Sequence, residues 1–280
     1  MNRSEFRARV ANGLLLDGAT GSNLMAAGKP RGIPSEDWVL ENPHALHALQ
    51  RAYVKAGSDI VYAPTFTASR AYRDDDIVAL NRRLVEVCRE GVGDSCLIGG
   101  DVTTVTRPDY EYGEMLDIYR EQMEALCEAG VDAIAIETMM ALPETMAALE
   151  AARSCGDIAV LCSFSVSADG GLYFGGNVFE AAQALEELGA DAVGVNCSAG
   201  PDQLESVIRN LRATVSIPII AKPNAGMPVI DELGNAIYPM RPADFGVRMK
   251  RLLDAGATIV GGCCGTTPAH IASLREVLRP

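Results

Sequence analysis

The chain has 280 residues, 48% of them hydrophobic, and a formal net charge of −13 at neutral pH. That much apolar material can bury a substantial core, while the acidic balance and the lack of any Lys/Arg cluster exclude a nucleic-acid-binding surface. The first ten residues alternate charged and apolar side chains without the apolar centre of a signal peptide, and no stretch approaches the roughly 20 apolar residues of a membrane span, so a cytosolic protein is expected.

Periodicity gives one unit, repeated along the chain: a short apolar or β-branched run, a loop, then an amphipathic helix. The runs are 14–17, 59–65, 96–102, 133–138, 158–166, 191–197, 218–223 and 258–263. The helical patterns that follow them are 44–56, 77–91, 114–129, 143–154, 179–188, 203–213, 242–255 and 268–278. Gly57, Gly130, Gly189 and Gly256 end four of these helices and suit a left-handed cap. Eight alternations within one domain, 1–280, predict an α/β fold of the (β/α)8 TIM-barrel kind, because every parallel strand needs a helical crossover before the next. A doubly wound sheet is disfavoured. Gly18-Ala19-Thr20-Gly21 lacks the three-glycine dinucleotide spacing, and no acidic residue follows the second strand in the ribose position. Residues 226–238, with Gly234-Asn235 between two apolar pieces, predict a short hairpin inserted after strand seven, over the active-site face.

In such a barrel the reactive residues stand at the C-terminal ends of the strands. Strand one ends at Asp17, strand four at Glu137-Thr138 and strand six at Asn196-Cys197, while strand seven runs into Asn224 and strand eight ends at Cys263-Cys264. The eight cysteines are expected to be free in a reducing compartment. Cys88, Cys96, Cys127, Cys155 and Cys162 fall in helical or strand patterns and read as small buried hydrophobes. Neighbours on a regular strand face opposite ways, so Cys263 and Cys264 can share a metal only if the strand has ended and the chain turns there. Gly261, Gly262 and Gly265 allow that turn. Taken alone the pair reads more often as two core residues or a redox pair than as metal ligands, and Cys197 at the end of strand six strengthens the last. Three thiolates with one open position describe a catalytic zinc site that keeps a bound sulfur nucleophilic. His44, His47 and His270 read as surface or capping residues.

Glu137 closes an otherwise apolar strand, where an unpaired carboxylate is costly, so it calls for a cationic partner. Asp17 either ties the first loop or binds a ligand, and the loop 18–22 offers backbone N–H groups that could cradle a carboxylate. Two carboxylates for an ammonium and a nest of amides for a carboxylate describe an α-amino acid site, here for a thiol-bearing amino acid.

Asp17-Gly18-Ala19-Thr20-Gly21-Ser22, Glu137-Thr138, Gly194-Val195-Asn196-Cys197-Ser198, Pro223-Asn224-Ala225-Gly226 and Gly261-Gly262-Cys263-Cys264-Gly265-Thr266-Thr267-Pro268 resemble, in order and spacing, the homocysteine-binding barrel of the zinc-dependent homocysteine S-methyltransferases. The resemblance spans nearly the whole chain and looks closest to the N-terminal module of cobalamin-dependent methionine synthases. It implies Cys197, Cys263 and Cys264 as zinc ligands and Asp17 and Glu137 as partners of the homocysteine amino group. Gly18, Ala19, Thr20, Gly21 and Ser22 would hold its carboxylate, with Asn196 among the substrate contacts. Asn224 would lie near the metal and take its fourth position when substrate is absent. Two segments depart from the family pattern at the barrel mouth: Pro64 stands where an Asn is usual, and Asp101-Val102-Thr103-Thr104-Val105 replaces a glycine-proline loop. Both bear on how the methyl donor is presented.

The resemblance implies a methyltransferase of methionine biosynthesis that moves a methyl group to the thiolate of homocysteine, giving methionine. The chain ends after its eighth helix with no folate-binding barrel or corrinoid domain, so the donor is expected to be a separate methyl-corrinoid protein. A free small donor, S-methylmethionine or a betaine, is the alternative. A thiol-redox barrel and a non-catalytic zinc- or thiol-binding subunit are two further readings from other classes.

Overall fold

Eight parallel strands form one sheet in the order β1-β10-β7-β6-β5-β4-β3-β2 in a computed structural model that describes residues 1–105, 110–232 and 234–279. The strands are β1 (Leu14–Leu15), β2 (Ile60–Tyr62), β3 (Leu97–Val102), β4 (Ala133–Met139), β5 (Ala159–Phe164), β6 (Ala192–Asn196), β7 (Ile219–Lys222) and β10 (Ile259–Val260). The two ends of the sheet meet through a parallel bridge between Leu16 and Ile60, supported by the bond from the Asp59 N–H to the Leu15 carbonyl. The ring is therefore a (β/α)8 barrel, and each helix between strands returns the chain to the start of the next parallel strand. The hairpin is present as β8 (Val229–Ile230) and β9 (Ala236–Ile237), an antiparallel pair after β7.

Alternation along the strands divides the core in two. Leu14, Leu16, Ile60, Ala133, Ala135, Leu161, Ala192, Ile220 and Ile259 fill the barrel interior. Leu15, Val61, Ile134, Val160, Val193 and Val260 face the helices. Interior residues on β4 and β6 are small, which lets strands approach closely; a Cβ on Gly194 would lie 2.0 Å from the Ile220 carbonyl oxygen. Cys88, Cys96 and Cys162 are buried, and Cys127 and Cys155 are half-buried.

Three helices precede the first one expected from the pattern. α1 (Arg3–Val10) starts with a capping box between Asn2 and Glu5, which satisfies two otherwise orphaned N–H groups. It sets Phe6 and Val10 into the barrel interior cluster and so closes the N-terminal end. Arg3 reaches Asp191 at 2.7 Å, and Arg153 grips the other oxygen of that carboxylate at 2.7 Å. α2 (Gly21–Ala26) and α3 (Ser35–Glu41) follow β1 at the opposite end. The remaining helices are α4 (Pro43–Ala56), α5 (Ile77–Val92), α6 (Tyr112–Glu128), α7 (Leu142–Ser154), α8 (Val178–Glu187), α9 (Glu205–Thr214), α10 (Pro242–Asp254) and α11 (Pro268–Leu278). Among the described residues no helix is long and apolar enough to cross a membrane.

Candidate active site

A cavity of about 570 Å³ opens at the C-terminal ends of the strands, lined by the first loop, Glu137, Thr138, Lys222 and the three cysteines Cys197, Cys263 and Cys264. The run 258–263 leaves the sheet earlier than its composition suggests, since β10 ends at Val260 and Cys264-Gly265 form a turn. The Cys263 N–H donates to the Pro223 carbonyl, and the Ala225 N–H donates to the Cys264 carbonyl. The segment after β7 thus holds both cysteines by their backbones. Gly265 adopts φ +77° at this turn and packs against Tyr238, beyond the hairpin, where a Cβ would meet that ring at 2.3 Å. Only glycine fits both conditions.

Cys197 joins them from the end of β6, with φ 47°, a left-handed conformation that non-glycine residues seldom adopt. Its Sγ lies 3.5 Å from Cys264 Sγ, and all three sulfurs lie within 4.8 Å of one another. Bonds from Cys197 and Cys263 hold the Cys264 thiol down at about 3, while the same sharing holds Cys263 well above its ordinary value. Thiolates about 2.3 Å from a tetrahedral metal are spaced by about 3.8 Å, so these three sulfurs fit a metal ion. Asn224 lies between the two residues that bond Cys263 and Cys264, and its side-chain Oδ1 is buried without a partner.

β4 carries one extra residue against β5 between Ile136 and Met139. A bulge of this kind bends a strand and re-aims its side chains. Here it turns both Glu137 and Thr138 to the cavity, with Thr138 at φ 60°. Asn196 braces that strain: its Oδ1 accepts from the Thr138 N–H at 2.8 Å and from Ser163 Oγ at 2.9 Å, and its Nδ2 donates to Thr138 Oγ1 at 2.8 Å. Asn196 is fully buried. Its place is therefore behind the cavity wall, bracing Thr138, where the sequence suggested a substrate contact.

Asp17 is buried, and its Oδ2 accepts from the Tyr62 N–H at 2.9 Å. Its Oδ1 has no partner. Burial pushes this carboxyl up to about 7, opposed by the nearby Lys222 ammonium. Glu137 does have a cationic partner, but it is a resident one: Lys222 Nζ donates to its Oε2 at 3.0 Å, with both side chains buried. Lys222 also stands 4.4 Å from the centre of the Tyr62 ring. Burial would strip its proton, yet Glu137 and Asp17 keep the ammonium above the ordinary lysine range. The sequence reading overlooked Lys222. The signal was present, since it is a charge ending the apolar run Ile219-Ile220-Ala221, as Glu137 ends its own. Asp101 on β3, in sequence only a departure from a loop pattern, lines the cavity too.

The loop Gly18-Ala19-Thr20-Gly21-Ser22 lines the cavity as well and leads into α2. Tyr53 and Asn23 both donate to the Ala19 carbonyl, at 2.8 and 2.7 Å, and the Ala19 N–H donates to Thr266 Oγ1. One amide of the expected cradle is thereby spent on Thr266. The histidines lie elsewhere: His270 is buried and takes the Thr267 N–H at the start of α11, and His47 bonds the Val87 carbonyl.

A family model described as homocysteine S-methyltransferase matches residues 14–278. Methionine synthase of Mycobacterium tuberculosis (strain ATCC 25618 / H37Rv) is 30% identical over 297 residues, spanning 94% of this chain and 25% of that protein. The chain thus spans about a quarter of the length of the curated relatives it matches. The oxidized form of the homocysteine methyltransferase MmuM from Escherichia coli has TM-score 0.83 at 24% identity and covers 99% of each chain. Its metallated form has TM-score 0.82 at 24% identity, covering 98% of this chain and 99% of that one. At such identity the likeness to MmuM is one of fold.

Proposed function

The chain belongs to the homocysteine S-methyltransferase family, and we propose that it binds zinc through Cys197, Cys263 and Cys264 and methylates the sulfur of homocysteine, giving methionine. The observation that carries this reading is the convergence of three sulfurs within 4.8 Å of one another at the wall of a cavity that also holds Asp17 and Lys222. A zinc ion in that thiolate cluster would keep the substrate sulfur ionised at neutral pH and nucleophilic. Everything else falls to the chain. Asp17, with Oδ1 free of partners, receives the substrate ammonium. The loop 18–22 lies against the substrate carboxylate, and Tyr53, Asn23 and Thr266 hold that loop in place. Held at both ends, the amino acid presents its sulfur to the mouth, and the sulfur lone pair forms the new bond to the methyl carbon as the donor leaves from the opposite side.

The donor in this reading is a methyl-corrinoid protein docked over the mouth. Tyr173, Phe174, Met227, Val229, Ile230 and Ile237 support it, because all are exposed on loops and the hairpin, and such apolar exposure suits a macromolecular partner better than a free small donor. The test is metal content with a donor panel. We expect about one zinc per chain, lost in Cys197→Ala, and methionine formed from homocysteine with a methyl-corrinoid protein. Turnover with S-methylmethionine or a betaine, and none with the corrinoid protein, would overturn the donor assignment.

A further inference from the structure

Four carboxylates, Asp17, Glu36, Asp101 and Glu137, and two ammoniums, Lys29 and Lys222, line one cavity; Glu36 accepts from the Thr67 N–H and Oγ1, and Lys29 Nζ donates to the Ile33 carbonyl. Lys222 Nζ is committed to Glu137 at 3.0 Å. That leaves Asp17 and Asp101, 1% and 8% exposed, each with an Oδ1 that has no hydrogen-bond partner. A buried carboxylate oxygen without a donor is costly, on the order of 1–3 kcal/mol or more for a charged group, and two of them in one cavity call for donors from outside the chain. An ammonium brings three.

Asp101 is held to this task by its backbone. Thr65 Oγ1 accepts from the Asp101 N–H at 3.0 Å and donates to the Asp101 carbonyl at 2.9 Å, so the main chain is fixed while the side-chain Oδ1 keeps no partner. Asp101 pairs in register with Ala135 on β4. Period-two alternation then puts Asp101 and Glu137 on the same interior face, one layer apart.

Resting on the reading of homocysteine as acceptor, we propose that the substrate ammonium is received between Asp17 and Asp101, that Asp101 determines specificity for thiols bearing an amino group, and that Lys222 is a positioning residue drawing Glu137 aside. The experiment is calorimetric titration of the zinc-loaded chain with L-homocysteine and with 4-mercaptobutanoate, which keeps the thiol and carboxylate and lacks the amino group. The wild-type chain should prefer homocysteine about tenfold or more. In Asp101→Asn, and in the shorter Asp101→Ser, that preference should shrink at least about fivefold through weaker homocysteine binding alone, with 4-mercaptobutanoate unchanged. A variant that merely loosens the barrel would weaken both ligands together, and that outcome refutes the assignment. A preference intact in both variants also refutes it and leaves homocysteine as the acceptor. If the wild-type chain binds neither thiol, the acceptor reading falls and this inference with it.

Discussion

Replacing Asp17 by Asn should make the protein more stable and less able to bind its substrate. Asp17 is almost wholly buried, keeps one bond from the Tyr62 N–H, and leaves its other oxygen without a partner. Burial raises its carboxyl from 3.8 to about 7. Because the folded chain holds this proton more tightly than the unfolded chain does, the stability it brings is fully present below pH 3.8. That stability is lost as the pH rises through about 7, where the folded protein must carry a charge it resists. The interval between the two values corresponds to about 4 kcal/mol, at about 1.4 kcal/mol per pH unit. Asn keeps the shape, still accepts from Tyr62 and carries no charge. Asp17→Asn should therefore gain about 2–4 kcal/mol at pH 8 in urea unfolding, with the gain vanishing toward pH 4. Homocysteine affinity should fall in the same variant, as expected where a site keeps a costly group for its ligand. Equal or lower stability of the variant at pH 8, with both proteins in the same metal state, would refute the reasoning.

Lys222→Met strands Glu137 as a buried unpaired carboxylate and should cost about 3–5 kcal/mol, much of it recovered in the double variant with Glu137→Gln. Thermal unfolding of both decides this, and equal losses in single and double variants would count against a pair formed by these two residues. Gly194→Ala places a Cβ 2.0 Å from the Ile220 carbonyl oxygen and must part β6 from β7, costing about 3 kcal/mol. Since Cys197 ends β6, the zinc content of the purified variant should drop as well, and an unchanged melting temperature with full metal would dismiss the close approach.

The repeat of runs and helices was legible because each strand is short, apolar and followed by an amphipathic helix. The cysteines were legible because the strand ends of such a barrel converge. What escaped the sequence was non-local or purely geometric. The face formed by Phe6 and Val10 on α1 has meaning only once a closed ring exists for it to plug. Glu137 announces a need for a cation, but its partner Lys222 stands 85 positions away, beyond the reach of any pattern of periodicity. The bulge at Glu137-Thr138 and the left-handed turn at Cys197 leave no trace in composition. Runs 59–65 and 258–263 exceed β2 and β10 because the chain leaves the sheet at the mouth, where its residues line the cavity instead of continuing the ladder.

Left-handed strain collects at one end of this barrel, together with unpartnered oxygens of three residues at or near strand ends. Among the described residues, Thr138 and Cys197 are the non-glycine positions with positive φ, each costing on the order of 1–3 kcal/mol, and both sit at C-terminal strand ends. The unpartnered oxygens of Asp17, Asp101 and Asn224 follow those same ends. The opposite end is apolar, plugged by α1 and tied by Arg3 and Arg153 to Asp191. A barrel divided this way can hold reactive groups in unfavourable states because the half that stabilises it is not the half that reacts. The groups gathered at the mouth are three thiols within 4.8 Å of one another and two carboxyl groups that each keep an unpartnered oxygen. They are complementary to a metal ion and an amino acid, and holding both would offset much of the cost of gathering such groups in one buried place.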